Sequence, residues 1–434
     1  MKARYAAYGL LGLPLAMSAL PVYVQVPAYY SSVHALPLAA LGWILFAARL
    51  VDTVQDPLLG HAIDRLRGNS SNGAALTRWM TGGAILLALS FAGLWLPPMA
   101  GVASGWWLAL MLVLVYTAHS MLNIAYLAWG ARLGNAAPNA APLLSAAGWR
   151  EGAGLLGVML ASVIPSVIMN GDAAQVPTNM MLFSALFAVL LLAGMAALLR
   201  WAPPWPRPVQ AAAGWRTTLR QVSANRRFHQ LLTPYFINAL SVSLPATLAL
   251  FFINDRLQAP AMAGMFLASY FAAAACGLPL WTALAARIGA VACWRLGMAL
   301  AIAGFAGAAL LGPGDVWPYL AVCIAAGAAL GADLALPPVV LAQLIEQEDA
   351  AGAYYGVLTL LGKLALALSG LALPLLAWLG YQPGAAATAA PESAGHALTL
   401  TYAVAPCLLK LLALAALTRR QTFSALSPLP RSSP

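Results

Sequence analysis

Apolar stretches long enough to cross a lipid bilayer follow one another along almost the whole chain. A membrane-spanning α-helix needs about 20 consecutive, mostly apolar residues. Of the 434 residues, 62% are hydrophobic and only 8% are charged, against about 25% charged in an ordinary soluble protein. So few charges cannot cover a water-facing surface, and a disordered chain would be poor in apolar residues. The sequence therefore predicts an all-α membrane protein.

The apolar stretches divide into two groups of six. We predict twelve membrane-spanning helices, at residues 5–31, 37–61, 74–96, 104–130, 143–168, 180–200, 229–254, 261–286, 292–312, 317–343, 353–380 and 396–418. The long break after the sixth is rich in proline and arginine. We expect an N-terminal six-helix half at 1–200, a cytoplasmic linker at 201–228 and a C-terminal six-helix half at 229–434. Two parallel halves of this kind are typical of the major facilitator fold.

Basic residues collect on one side of this predicted topology. If both termini lie in the cytoplasm, the opposite loops hold only Arg256 as a basic residue, beside Asp172, Asp255, Asp315 and Glu392. Short loops rich in lysine and arginine face the cytoplasm. We therefore expect a multi-pass protein of the inner (plasma) membrane with both termini cytoplasmic. The net charge of +10 then reflects these loops and the lipid surface rather than a nucleic-acid partner.

Two further patterns concern processing and metals. The N-terminal apolar stretch continues to about Tyr30, so we interpret it as an uncleaved first span rather than a signal peptide. The four cysteines show no CxxC or metal-type spacing, which supports neither a disulfide framework nor a zinc site.

The second predicted span carries three charged residues on one face. Arg49, Asp52 and Asp56 lie at positions i, i+3 and i+7, so they stack along one side of a helix. Charges at bilayer depth must face a polar interior, and two carboxylates one turn apart relieve their repulsion by sharing a proton or binding a cation. Gln55 and Ser120 could add neutral oxygen ligands, which hard cations such as Na⁺ prefer. The alternative is a structural Arg49–Asp52 pair that only fixes helix packing.

Other ionisable residues lie within or at the ends of the predicted spans. Lys363 lies about ten residues into the eleventh span, too deep to reach the surface easily, so a span-two carboxylate or a substrate group is its expected partner. Arg150 is either an anchor at the cytoplasmic edge or a cavity residue. Asp333 has no partner that the sequence reveals, and its role stays open. His119 is a packed polar residue more often than a proton relay.

The segment AARLVDTVQDPLLGHAIDRLRG resembles the signature of the glycoside–pentoside–hexuronide:cation symporter family, the melibiose-permease-like branch of the major facilitator fold. Further similarity covers most of the chain, in HSMLNIAYLAWGARL, SAAGWREGAGLLG and GKLALALSGLAL. The resemblance implies that Asp52 and Asp56 match the family's cation-binding acids. It places Gln55 at the position of another amide and Ser120 at that of a hydroxyl ligand.

The same resemblance implies roles near the substrate. Arg150 and Lys363 match the family's basic residues of the fifth and eleventh spans, and Arg49 accompanies the acids of the second. Asn123 stands where sugar-transporting relatives often carry a substrate-binding Asp. The resemblance therefore predicts the cation site, where Na⁺ is the metal expected at Asp52 and Asp56, more directly than it predicts the substrate.

Together these features predict a secondary active transporter. It would carry a small organic solute, such as a sugar or glycoside, by Na⁺- or H⁺-coupled symport and alternating access. Alternatives are a lipid or amphiphile transporter of the same fold, or a non-transporting accessory or sensor protein. No nucleotide-binding loop, redox motif or catalytic triad pattern is visible, so we expect no enzyme activity and no cofactor besides the coupling cation. We expect a monomer; the solute, the ion and the direction of transport stay open.

Overall fold

The computed structural model describes residues 2–68, 74–98, 102–135, 141–203, 223–344, 351–384 and 392–419. Every regular element within these ranges is helical. The chain forms two compact units, Met1–Val209 and Gln210–Pro434, which are described separately below. Residues 204–222, most of the predicted linker at 201–228, lie outside the described ranges.

The first unit contains eight described helices. They are α1 (Lys2–Gly9), α2 (Gly12–Met17), α3 (Leu20–Ser32), α4 (Leu38–Gly68), α5 (Ala74–Trp95), α6 (Val102–Asn135), α7 (Ala141–Met169) and α8 (Val176–Trp201). Helix α4 packs against α6, and α2 packs against α7. Because α6 also packs against α7, the polar residues of the second, fourth and fifth predicted spans lie in one bundle.

The first predicted span, 5–31, is not one continuous helix but three short ones, and two prolines explain the breaks. A proline has no N–H to bond the carbonyl four residues earlier. Pro14 therefore leaves the carbonyl of Leu10 to a tighter bond from the N–H of Leu13 (3.3 Å). Pro21 likewise cannot bond the carbonyl of Met17, where α2 ends.

The second unit contains the remaining described helices. They are α9 (Arg226–Phe251), extended by a π-helical turn (Phe252–Arg256), then a 3-10 turn (Pro260–Met262), α10 (Ala263–Ile288), α11 (Ala290–Ala308), α12 (Val316–Leu344), α13 (Ala351–Ser369), α14 (Ala372–Trp378), α15 (Glu392–Thr399), a second π-helical turn (Leu400–Val404) and α16 (Ala405–Arg419). Eleven segments of the described chain are long and apolar enough to cross a membrane. They match the second to twelfth predicted spans, so the all-α membrane fold is confirmed.

Trp294 belongs to the apolar core of the second unit. Its side chain is fully buried in a cluster that includes Phe228 of α9, Leu336 of α12 and Ala413 of α16. Ala285 of α10 and Tyr354 of α13 also belong to the cluster, so it joins six helices of the second unit. The buried position of Trp294 brings its ring nitrogen within hydrogen-bond distance of Asp333, which is described below.

Close packing of α10 against α12 depends on small residues, as is common between membrane helices. Gly327 of α12 lies so close to α10 that an added Cβ would overlap the carbonyl oxygen of Tyr270. We predict that Gly327→Ala lowers the thermal unfolding midpoint of the purified protein, because overpacking costs about 1–3 kcal/mol.

The matched control is Gly356→Ala, on the exposed side of α13, where an added Cβ meets no atom within 4 Å. It should leave the midpoint unchanged or raise it slightly, since alanine is the better helix former. Equal midpoints for the two variants would contradict the close contact.

Candidate functional site

Asp52 is the buried centre of a polar cluster on α4, with only 2% of its surface exposed. Its Oδ1 accepts hydrogen bonds from the Oγ of Ser120 (3.2 Å) and the Nε2 of Gln55 (3.4 Å). Its Oδ2 pairs with the Nη1 of Arg49 at 3.3 Å. Burial of a carboxylate is tolerable only with such partners. The structure thus joins Asp52 to three residues that the sequence analysis had grouped with it.

Arg49 is held on two sides. The guanidinium pairs with Asp52, and its Cζ lies 3.9 Å above the ring centre of Tyr116 of α6, a cation–π contact. Only 11% of its side chain is exposed. The Arg49–Asp52 pair considered in the sequence analysis therefore exists in this structure, and it links α4 to α6.

Gln55 is oriented by Thr117 of α6. The Oγ1 of Thr117 donates a hydrogen bond of 2.7 Å to the Oε1 of Gln55, while the Nε2 of Gln55 faces Asp52. The amide oxygen of Gln55, predicted from the sequence as a cation ligand, therefore accepts a hydrogen bond from Thr117 in this structure. A reversal of the amide would turn that oxygen toward Asp52.

The other candidate residues of the first unit lie around this cluster. Asp56 lies one helical turn beyond Asp52 on the same helix, and it is half-buried. Asn123 is half-buried and lies one turn beyond Ser120 on α6. His119 is joined through its Nδ1 to the Oγ of Ser18 at 3.2 Å, and its role as a packed polar residue stays a prediction.

Arg150 of α7 forms an ion pair with its neighbour. Its Nη2 lies 2.6 Å from the Oε1 of Glu151, whose side chain is 67% exposed. The side chain of Arg150 itself is 27% exposed. Arg150 lies against the broken first span, where its main chain faces Gly12, and both alternatives from the sequence, an anchor at the cytoplasmic edge or a cavity residue, stay predictions.

Lys363 belongs to the second unit. It lies on α13 and is half-buried. Its expected partnership with a carboxylate of α4 would join the two units, and it stays a prediction.

A second buried cluster surrounds Asp333 of α12, the residue whose role the sequence left open. The Nζ of Lys410 of α16 lies 2.5 Å from its Oδ2, and both side chains are only 6% exposed. Its Oδ1 accepts hydrogen bonds from the Nδ2 of Asn238 of α9 (3.0 Å) and the Nε1 of Trp294 of α11 (2.9 Å). One carboxylate therefore connects four helices of the second unit.

The sequence analysis missed Lys410 and both neutral partners of Asp333. Lys410 lies in the middle of the predicted span 396–418, so the depth criterion that singles out Lys363 applies to it equally. Asn238 and Trp294 carry no comparable signal, because one neutral side chain in a span is common and only the fold brings these two to Asp333.

A cation in either unit would have few acidic ligands. No group of three or more His, Cys, Asp or Glu residues that could hold a metal ion occurs in the described part of the chain. Around Asp52, a Na⁺ ion would therefore need neutral oxygens in addition to carboxylates, and Ser120 and a reversed Gln55 could supply them.

Comparison with known proteins identifies the architecture. A family model described as "MFS/sugar transport protein" matches residues 5–421. A point variant of the nucleoside transporter NupG has a TM-score of 0.70 and 15% identity over 96% of this chain and 99% of that chain. An inward-facing bacterial homolog to the human lysosomal transporter Spinster has a TM-score of 0.66 and 16% identity over 97% of both chains. At such low identity these structures show the fold alone. No curated protein matches the chain.

The Asp333–Lys410 pair gives a stability prediction. We expect Lys410→Met to destabilise the protein by about 3–5 kcal/mol, because it leaves one buried charge without its partner. The double variant Asp333→Asn, Lys410→Met should recover most of this loss, since it removes both charges and keeps an acceptor for Trp294 and Asn238. Thermal unfolding of the purified variants measures both, and a double variant no more stable than Lys410→Met would contradict the pairing.

Proposed function

This chain belongs to the family described as MFS/sugar transport protein, and we propose that it is a cation-coupled symporter of a small organic solute. Membership of this family and the fold support a multi-pass secondary transporter. The proposal adds that Asp52 and Asp56 bind the coupling ion, Na⁺ or H⁺, with Gln55 and Ser120 as neutral ligands. It also places the protein in the inner membrane as a monomer with both termini in the cytoplasm.

The observation that carries the proposal is the burial of Asp52 among polar partners. A carboxylate at bilayer depth costs several kcal/mol unless it is paired or functional. Packing alone would be served as well by an apolar residue. The hydrogen bonds from Ser120 and Gln55 come from groups that can also offer oxygen to a cation, so the site can exist in an ion-free and an ion-bound form.

The ion would act by replacing Arg49. In the structure, the guanidinium neutralises Asp52 and stacks on Tyr116. A bound cation would take over that neutralisation and release Arg49 from the carboxylate. Ion binding favours one conformation of a transporter over another only if the two conformations bind the ion with different affinity. We propose that this difference in affinity drives the alternating access of the two halves.

The proposed solute is a small polar molecule. The family description supports a sugar, and the structural similarity to NupG is the reason to include nucleosides in a screen. Arg49, Asn123, Arg150 and Lys363 are the residues that we propose for solute contact or coupling.

Ion binding can be tested without knowledge of the solute. We predict that Na⁺, compared with choline at equal ionic strength, raises the thermal unfolding midpoint of the wild-type protein. At about 100 times its Kd, a bound ion adds about 2.7 kcal/mol. Asp52→Asn should abolish the response, whereas Asp172→Asn, in an exposed loop, should keep it.

If H⁺ is the coupling ion, Na⁺ has no effect, but the unfolding midpoint should depend less on pH in Asp52→Asn than in the wild type, because a carboxyl contributes to that dependence only where folding changes its proton affinity. Asp172→Asn should keep the wild-type dependence. A wild-type protein that responds to neither ion, or an Asp52→Asn variant that responds as the wild type does, would contradict the proposed site.

Coupled transport is tested in proteoliposomes loaded with an ion gradient. We predict that Asp56→Asn reduces uphill accumulation of radiolabelled methyl β-D-galactoside or uridine to the level of empty vesicles, because the site loses one of its two anionic ligands. Asp172→Asn should accumulate solute as the wild type does. Unchanged accumulation by Asp56→Asn would refute its role, and failure of the wild-type protein with all solutes tested would favour a non-transporting protein.

A further inference from the structure

Five arginines lie at one end of the second unit, which we call the basic end. They are Arg226 and Arg227 at the start of α9, Arg287 at the end of α10, Arg295 near the start of α11 and Arg419 at the end of α16. Each lies within four residues, along the chain, of a member of one apolar cluster, namely Phe228, Ala285, Val291 or Leu417. Because these four residues pack together, the four helix ends meet and the five charges share one end of the bundle.

The basic end carries more positive charge than the chain neutralises. None of the five arginines forms an ion pair with a described residue. The segment that joins α12 to α13 contains three acids, Glu346, Glu348 and Asp349, so two arginines would remain unpaired even if each acid took one. Helix dipoles do not account for the cluster, because they favour a cation at the end of a helix and disfavour it at the start, where Arg226 and Arg227 lie.

Arg295 differs from the other four arginines because its side chain is half-buried, while theirs are exposed. Its Nη2 donates a hydrogen bond of 2.9 Å to the carbonyl of Leu417 of α16. This is its one hydrogen bond among the described residues, although a guanidinium has five N–H donors. An arginine that is partly withdrawn from water is usually paired. Arg295 therefore has donors and charge available for an anion.

The surface next to Arg295 is apolar. Helix α16 packs against α11, and both helices present half-exposed leucines, which are Leu296 of α11 and Leu408, Leu411 and Leu412 of α16. In a membrane protein such side chains contact the acyl chains of lipids, which are as apolar as leucine. A ligand at the basic end therefore meets positive charge beside a surface suited to acyl chains. An anionic phospholipid has the matching parts, a phosphate joined to acyl chains.

We propose that the basic end binds the phosphate of an anionic phospholipid, with Arg295 and Arg419 as its nearest contacts. Arg419 lies two residues beyond Leu417, whose carbonyl holds Arg295, so the two charges are neighbours. Basic pockets between membrane helices bind anionic headgroups in this way. A zwitterionic lipid has the same phosphate, but it also brings a cation that the arginines repel. The site is independent of the proposed cation coupling, because every residue that carries it lies in the second unit.

The test measures which lipid lies next to Leu296. All four native cysteines are replaced by alanine, and the added Leu296→Cys then carries the only thiol, which is labelled with the fluorophore bimane. The protein is placed in phosphatidylcholine nanodiscs that contain spin-labelled phosphatidylglycerol or, at equal mole fraction, spin-labelled phosphatidylcholine. The spin label lies near the headgroup end of the acyl chain and quenches bimane only at short range. The ratio of the two quenching constants therefore gives the local preference for the anionic lipid.

We expect phosphatidylglycerol to quench the label more strongly than phosphatidylcholine does. Arg419→Gln, at an exposed position where the fold tolerates the change, should reduce the preference about fivefold, the contribution of one arginine near a membrane surface. Arg295→Gln should reduce it similarly, whereas Arg295→Lys keeps the charge and most of the preference. The matched control is Arg78→Gln, at an exposed position of α5 in the first unit, which should keep the wild-type preference.

Equal quenching by the two lipids at Leu296→Cys would overturn the site, and so would an unchanged preference in both Arg419→Gln and Arg295→Gln. A label at Leu199→Cys, an exposed position next to Arg200 of α8, tests whether any arginine suffices. An equal preference there would assign the effect to general attraction and overturn the site. Loss of the preference on addition of an equal concentration of sn-glycerol 1-phosphate, which has no acyl chains, would assign the site to soluble phosphates and overturn the lipid.

Discussion

The fold of each unit depends on one constraint: a charge inside the bilayer must find its partner within the helix bundle. Water is not available there to solvate it, and an unpaired charge costs several kcal/mol. Among the described residues, Asp52 and Asp333 each pair with a cation and accept hydrogen bonds from two neutral donors. The partners of Asp333 all come from other helices, and those of Asp52 come from α4 and α6. The same contacts that neutralise the charges therefore also fix the packing of the helices.

The two clusters meet the constraint with different cations. Arg49 has a flat, delocalised charge that stacks on Tyr116 while it pairs with Asp52, so it retains a favourable position if the carboxylate is given to another ion. Lys410 is a compact charge that contacts Asp333 closely and keeps spare N–H donors. The contact of Arg49 with Tyr116 therefore fits the exchange of cations that we propose for the Asp52 cluster.

Most of the site contacts that could be predicted from sequence lie within one helix, and the contact of Ser120 with Asp52 is the exception. The spacing of Arg49, Asp52 and Gln55 places them on one face of α4, and their contacts follow. The broken first span was not predicted, because proline is tolerated inside other helices, such as Pro57 in α4, and its effect depends on the carbonyl that it leaves unbonded. The partners of Asp333 lie 95, 39 and 77 residues away along the chain, so only tertiary packing reveals them.

The orientation of Gln55 separates the two candidate ions in physical terms. Its N–H faces Asp52, and its oxygen accepts the hydrogen bond of Thr117. A proton needs only a carboxylate oxygen, so it could bind with this amide in place. A Na⁺ ion needs oxygen ligands, so the amide would have to reverse and Thr117 would lose its acceptor, although its hydroxyl also bonds the carbonyl of Val113. Because the hydrogen bond to Val113 remains, reversal of the amide leaves the Thr117 hydroxyl with a partner and costs little. The site can therefore accept either a proton or Na⁺ under the proposed function.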